Sequence, residues 1–123
     1  MKRVGVETKT VHQLVEHFVA IGIEQDRALL RNDVSKFNRL FDAMIDVEDE
    51  LKARDGNQRR ALLDLYDHPN AQVRLNAAKA TLAVAPESAR RMLQTMADSR
   101  EFPQAGDAGM TLDSLDRGIF KPI

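Results

Sequence analysis

Apolar residues recur along this chain with a helical period almost throughout. Val11, Leu14, Val15, Phe18 and Gly22 stand at i, i+3, i+4, i+7 and i+11, one stripe of a helix, and Leu29 and Leu30 close the segment. In front of the stripe, Thr10-Val11-His12-Gln13 has the spacing of a capping box, in which a hydroxyl and an amide satisfy orphan backbone donors, so a first helix begins there. Arg31-Asn32-Asp33 is a brief turn whose Asn32 or Asp33 can cap a second helix. That helix repeats the period with Val34, Phe37, Leu40, Phe41, Met44, Ile45 and Leu51. So short a connection predicts antiparallel neighbours, a stiff hairpin over residues 10–55. Asp55-Gly56-Asn57 ends it, Gly56 being able to turn left-handed and Asn57 to cap the next helix.

The remaining pattern predicts a short third helix over Gln58–Tyr66 and a fourth over Asn70–Val84. A fifth opens at Pro86, with Glu87 at its positive end and Ala89, Met92, Leu93 and Met96 on one side. Pro103–Arg117 is weaker, because Gly106 and Gly109 each cost about 1 kcal/mol inside a helix, so a sixth helix is expected mainly from Asp107 onward. Gly118 terminates it, and the apolar tail over residues 118–123 is expected to fold back onto the last helices. Residues 1–9 read as a flexible N-terminus. The chain therefore reads as all-α, a single domain over residues 1–123, with six helices in three antiparallel pairs, the last two pairs within residues 57–117.

On the fourth helix, Gln72, Asn76, Lys79 and Ala83 share one narrow stripe at about 100° per residue, while Val73, Leu75, Ala77, Ala78, Ala80, Leu82 and Val84 cover most of the circumference. A helix apolar nearly all round is packed on several sides, which makes this the central element with one edge in water. Arg74 lies opposite that edge, where an unpaired guanidinium would cost several kcal/mol. It requires a carboxylate, and Asp67 or Asp98 in the neighbouring turns is the expected partner in a structural ion pair.

Asp67-His68-Pro69-Asn70-Ala71-Gln72-Val73-Arg74, followed by small residues at helical spacing to Leu82, resembles the second half of a HEAT-type repeat. Arg59-Arg60-Ala61-Leu62 is echoed by Arg90-Arg91-Met92-Leu93, Asp67 by Asp98 and Pro69 by Pro103, at the period of a helix pair. With Phe102-Pro103-Gln104-Ala105-Gly106-Asp107-Ala108-Gly109-Met110, the whole chain resembles a family of small uncharacterised bacterial helical proteins with a HEAT- or armadillo-like α-α superhelix. The resemblance implies a fold and a bacterial setting and supplies no activity. It also implies that turn Asp and helix Arg residues tie successive repeats together. Some small helical proteins of similar build are proposed immunity proteins, which stands as analogy only.

Composition narrows the choice. The chain has 123 residues, 43% of them apolar and 30% charged, with a formal charge of −1 and a pI near 6.3. No global positive excess draws it to nucleic acid or an anionic membrane. Cysteine is absent, which removes disulfides and thiolate chemistry together. No apolar run is long enough for a signal or a membrane span, so a cytoplasmic protein is expected.

Candidate chemistry is sparse. His12 and His17 stand at i and i+5, roughly 140° apart on a helix, and cannot share one metal as i, i+4 ligands do. Asp42, Asp46 and Asp49 share a helical face without the loop and glycine of a calcium site. No nucleophile with a base and an oxyanion donor assembles, so neither enzymatic activity nor a metal or cofactor is expected. Arg59, Arg60, Arg74, Lys79, Arg90, Arg91 and Arg100 concentrate positive charge in the repeat section, which keeps a nucleic-acid-binding alternative open, though no aromatic is interleaved among them. The leading expectation is a non-enzymatic protein-binding module, immunity-like or regulatory. Its candidate face joins Gln72, Asn76 and Lys79 of the fourth helix with Lys36, Arg39, Asp42 and Asp46 of the second.

Overall fold

The computed structural model describes residues 4–123, and among them every regular element is helical. In chain order these are α1 (Val4–Glu7), α2 (Val11–Leu30), α3 (Val34–Ala53), a 3-10 helix (Gln58–Asp67), α4 (Ala71–Ala80), α5 (Pro86–Asp98) and α6 (Gln104–Asp116). They fall into two compact units, one ending at Ala61 and one comprising Leu62–Ile123.

The first unit follows its periodicity in the main, although Leu30, Val34 and Phe41 are exposed. Thr10 accepts from the Gln13 amide while the Gln13 side chain accepts from the Thr10 amide, closing the capping box of α2. Asp33 caps α3 by accepting from the Lys36 amide at 3.1 Å, and Asn32 turns the chain in the left-handed region. α2 and α3 pack along each other, burying Leu14, Phe18, Ile21, Met44, Val47 and Leu51. Gly56 is left-handed, and Asn57 accepts from the Arg59 amide.

The expectation of a flexible segment over residues 1–9 falls partly on residues 1–3, outside the described ones. From Val4 onward it needs correcting. Val6 is 5% exposed, and Arg54, at the end of α3, donates to the carbonyls of Val6 at 3.3 Å and Lys9 at 2.7 Å. A guanidinium on the carbonyls around the end of α1 fixes orphan acceptors that a free terminus would leave to water.

In the second unit, α5 and α6 pack side by side, and α4 contacts both. Leu75, Ala78, Leu82, Ala89, Leu93, Met96 and Ala108 form the core. Seven residues of α4 are buried, so its central position holds. It ends at Ala80, short of Val84, because the buried Thr81 hydroxyl donates back to the Ala77 carbonyl at 2.8 Å while Tyr66 hydrogen-bonds that hydroxyl at 2.6 Å. Pro86 opens α5 as expected. The third helix is 3-10 rather than α.

α6 starts at Gln104, earlier than its glycines suggest. Gln104, Ala105, Ala108 and Thr111 are all buried on one side, and that packing outweighs the glycine cost. Gly118, left-handed, ends it in a Schellman motif: its amide reaches the Leu115 carbonyl and the Ile119 amide reaches the Ser114 carbonyl. The tail folds back in part: the Phe120 amide donates to the Ser114 carbonyl and Pro122 is half-buried, while Ile119 and Ile123 stay 66% and 83% exposed.

Candidate functional site

The polar edge expected on α4 does not face water. Gln72 and Asn76 are each 5% exposed. Gln104 Nε2 of α6 donates to Gln72 Oε1, and Gln72 Nε2 donates in turn to Asn76 Oδ1, both at 3.0 Å. An amide carries donors and an acceptor on one group, so a row of amides can satisfy itself in a dry interface where a lone one could not. This ladder removes Gln72 and Asn76 from any binding face. Lys79, one turn further on, reaches the surface and pairs with Asp107 of α6 at 3.0 Å.

Arg74 does sit against the packed side, its side chain 16% exposed, but its partners differ from those expected. Its guanidinium binds Glu101 at 2.6 Å and the carbonyls of His68 and Pro69 at 2.7 and 3.1 Å. Asp67 is exposed, and Asp98 accepts from Gln94 on its own helix. Glu101 lies just before α6, so the bond reaches the element that packs on α4 rather than the turn before it.

The other candidates lie on α3 in the first unit. Lys36 pairs with Glu24 at 3.4 Å, Arg39 is exposed and donates to Ser35 at 3.0 Å, Asp42 is exposed, and Asp46 is half-buried. Among the basic residues, Arg59 is 8% exposed with its Nε on Asn57, and Arg90 pairs with Asp116 across α5 and α6. His12 pairs with Glu16 at 3.3 Å. Burial, and then the charge of Lys9, holds the His17 imidazole below its usual range. No cluster of three potential metal ligands occurs among the described residues, and none of their helices is long and apolar enough to cross a membrane.

The second unit also exposes an apolar face. An open groove of about 740 Å³ runs along the outer face of α6, between Phe102 and Phe120, over Pro103, Gly106 and Met110. Lys79, Asp107 and Thr111 line it too. A second groove, about 590 Å³, lies on the other side of Met110, toward Ala97, Gly109, Asp113 and Arg117. Phe102 is 70% and Met110 73% exposed. The buried arc of α6 runs through Gln104, Ala105, Ala108 and Thr111, and the helical period puts Met110 on the opposite arc with Gly106, Asp113 and Arg117. A large apolar side chain alone on a polar arc is the signal that identifies this face. Met110, Asp113 and Arg117 already lie within the helix expected from Asp107 onward.

Residues 12–116 match the family described as a domain of unknown function, DUF2019. The chain belongs to that family. It is also similar to a solved structure, the protein RPA1889 from Rhodopseudomonas palustris CGA009, with 58% identity, a TM-score of 0.94, and coverage of 96% of this chain and 98% of that one. No curated protein matches. The fold is thus shared with a bacterial relative, and the family description carries no activity.

Proposed function

We propose that the chain is a non-enzymatic, cytoplasmic helical-repeat module of the HEAT type, immunity-like or regulatory, that binds another protein chain through the outer face of α6. The observation that carries the reading is the exposed pair Phe102 and Met110 beside a groove of about 740 Å³. Apolar surface of this kind, rimmed by polar groups, marks interaction sites on otherwise ordinary monomers. The rim is electrically balanced, since Lys79 with Asp107 and Arg117 with Asp113 form ion pairs. Of the residues expected on the binding face, Lys79 is the one that stands at this groove.

A nucleic-acid interface has less support. Arg74, Lys79 and Arg90 each carry a carboxylate partner, which reduces the charge these three bring to displacing counterions from phosphates.

Position-specific photo-cross-linking in cells tests the reading. A photoreactive side chain at Met110 is expected to give one discrete protein adduct that the same group at Asp42 does not give. No adduct at Met110, or the same adduct at both positions, would contradict it.

A further inference from the structure

We infer that the segment seated on the outer face of α6 is an acidic stretch of another protein, whose carboxylates reach Arg100 and Lys121 at the two ends of the groove. The inference rests on the protein-binding reading above and adds the chemistry of the partner.

Charge is the first argument. All three carboxylates of α6 are already matched: Asp107 holds Lys79, Asp113 holds Arg117 and Asp116 holds Arg90. Glu101, just before the helix, holds Arg74, and Asp98 is turned back onto Gln94 of its own helix. Two cations of this region are not matched in the same way. Among the described residues, Arg100 and Lys121 are exposed and make no side-chain hydrogen bond or ion pair. Arg100 stands two residues before Phe102, and Lys121 directly follows Phe120, the two rings between which the groove runs. An apolar floor between two uncompensated positive charges has as its complement an apolar segment that carries carboxylates on both sides.

Backbone conformation is the second. Arg100 follows Ser99, the C-cap of α5, and its φ is 66°. Glycine takes that left-handed conformation freely and is the usual residue at such a position, whereas a residue with a Cβ is strained there. Arg100 bears the strain without a side-chain bond inside the fold, which directs its guanidinium to a group outside it. Arginine, aromatic residues and methionine are the types enriched in protein interfaces, and Arg100, Phe102, Met110 and Phe120 supply them around one groove.

An anionic bilayer also offers apolar groups and negative charge, but it is flat. It would press on Asp107 and Asp113, which flank Met110 on this face, as closely as on the cations. A single segment lying in the groove need not.

Photo-cross-linking at Met110 in cells tests this when it is repeated in chains that differ only at the two ends of the groove. With Arg100→Glu and Lys121→Glu together, the yield of the discrete adduct is expected to fall about tenfold or more. Arg100→Lys with Lys121→Arg keeps both charges and is expected to retain it. The cross-linked segment, sequenced by mass spectrometry, is expected to carry a net negative charge. Arg100→Gly supplies a separate readout that does not depend on the reversed chain folding. Relief of the left-handed strain is expected to raise its melting temperature while the adduct yield falls, a split that a residue serving the fold would not show. An adduct undiminished by charge reversal, or one formed with a basic or uncharged segment, overturns the proposal and leaves the protein-binding reading standing. If Met110 gives no adduct even with Arg100 and Lys121 in place, both fall. In that case, sedimentation of the purified chain with phosphatidylglycerol vesicles and not with phosphatidylcholine vesicles would identify the face as a membrane-binding surface instead.

Discussion

The two units of this chain obey the same packing physics but differ in how openly their sequences state it. In the α2–α3 hairpin a helical wheel places the caps and most of the apolar stripe correctly, the exceptions being the buried Gln25 and Glu50 and the exposed Leu30 and Val34. Leu14, Phe18, Val47 and Leu51 are fully buried, and Thr10 and Asp33 cap their helices at the surface. In the second unit, α4 meets α6 through Gln72, Asn76 and Gln104, and the same wheel takes this polar stripe for a solvent edge. Polarity predicts exposure only where no partner amide lies opposite.

The contrast can be broken by mutation, beginning with the hairpin. Phe18→Ala removes a fully buried ring, and thermal or denaturant unfolding is expected to register a loss of about 3 to 5 kcal/mol. In the second unit the comparable weak point is polar. Gln72→Ala leaves Gln104 Nε2 and Asn76 Oδ1 without their shared partner, and a loss of about 1 to 3 kcal/mol is expected. A change within experimental error would mean that the stripe faces water after all.

Arg74 sharpens the same point. Arg74→Ala removes bonds to two carbonyls and to Glu101, with an expected loss of about 1 to 3 kcal/mol. Asp67→Ala and Asp98→Ala should stay within about 0.5 kcal/mol, as exposed substitutions do. The reverse order would restore the ion pair read from the sequence. In the opposite direction, a Cβ added at Gly109 would meet only Ala97, at 4.0 Å. Gly109→Ala is therefore expected to raise stability by up to about 1 kcal/mol.

The smallest effect concerns pH. The His17 pKa lies below its unfolded value of 6.5 because burial and Lys9 disfavour the cation. The unfolded chain therefore binds the proton first, and stability present above pH 6.5 declines as pH falls toward the folded pKa. A melting temperature that falls on acidification through this window, with a shallower fall in His17→Gln, is the expected result.

The legible features obey local rules. Capping, the three-residue turn, Pro86 at the start of α5 and Gly118 at the end of α6 each depend on a few adjacent residues. The features that escaped the sequence depend on tertiary partners. The 3-10 helix and the early end of α4 involve Tyr66 and Thr81, which are 15 positions apart. The pairing of Arg74 with Glu101 spans 27 positions. The start of α6 at Gln104 requires knowing that this residue is buried against Gln72.

Which residues of the second unit face water is measured directly by solvent paramagnetic relaxation on the full, dilute chain. The side-chain amides of Gln72, Asn76 and Gln104 are expected to be protected from a soluble paramagnetic probe, while the Met110 methyl is strongly relaxed. Relaxation of the Gln72 and Asn76 amides as strong as that of the exposed Gln13 and Asn38 side chains, with Met110 protected, would contradict both the buried ladder and the α6 binding face.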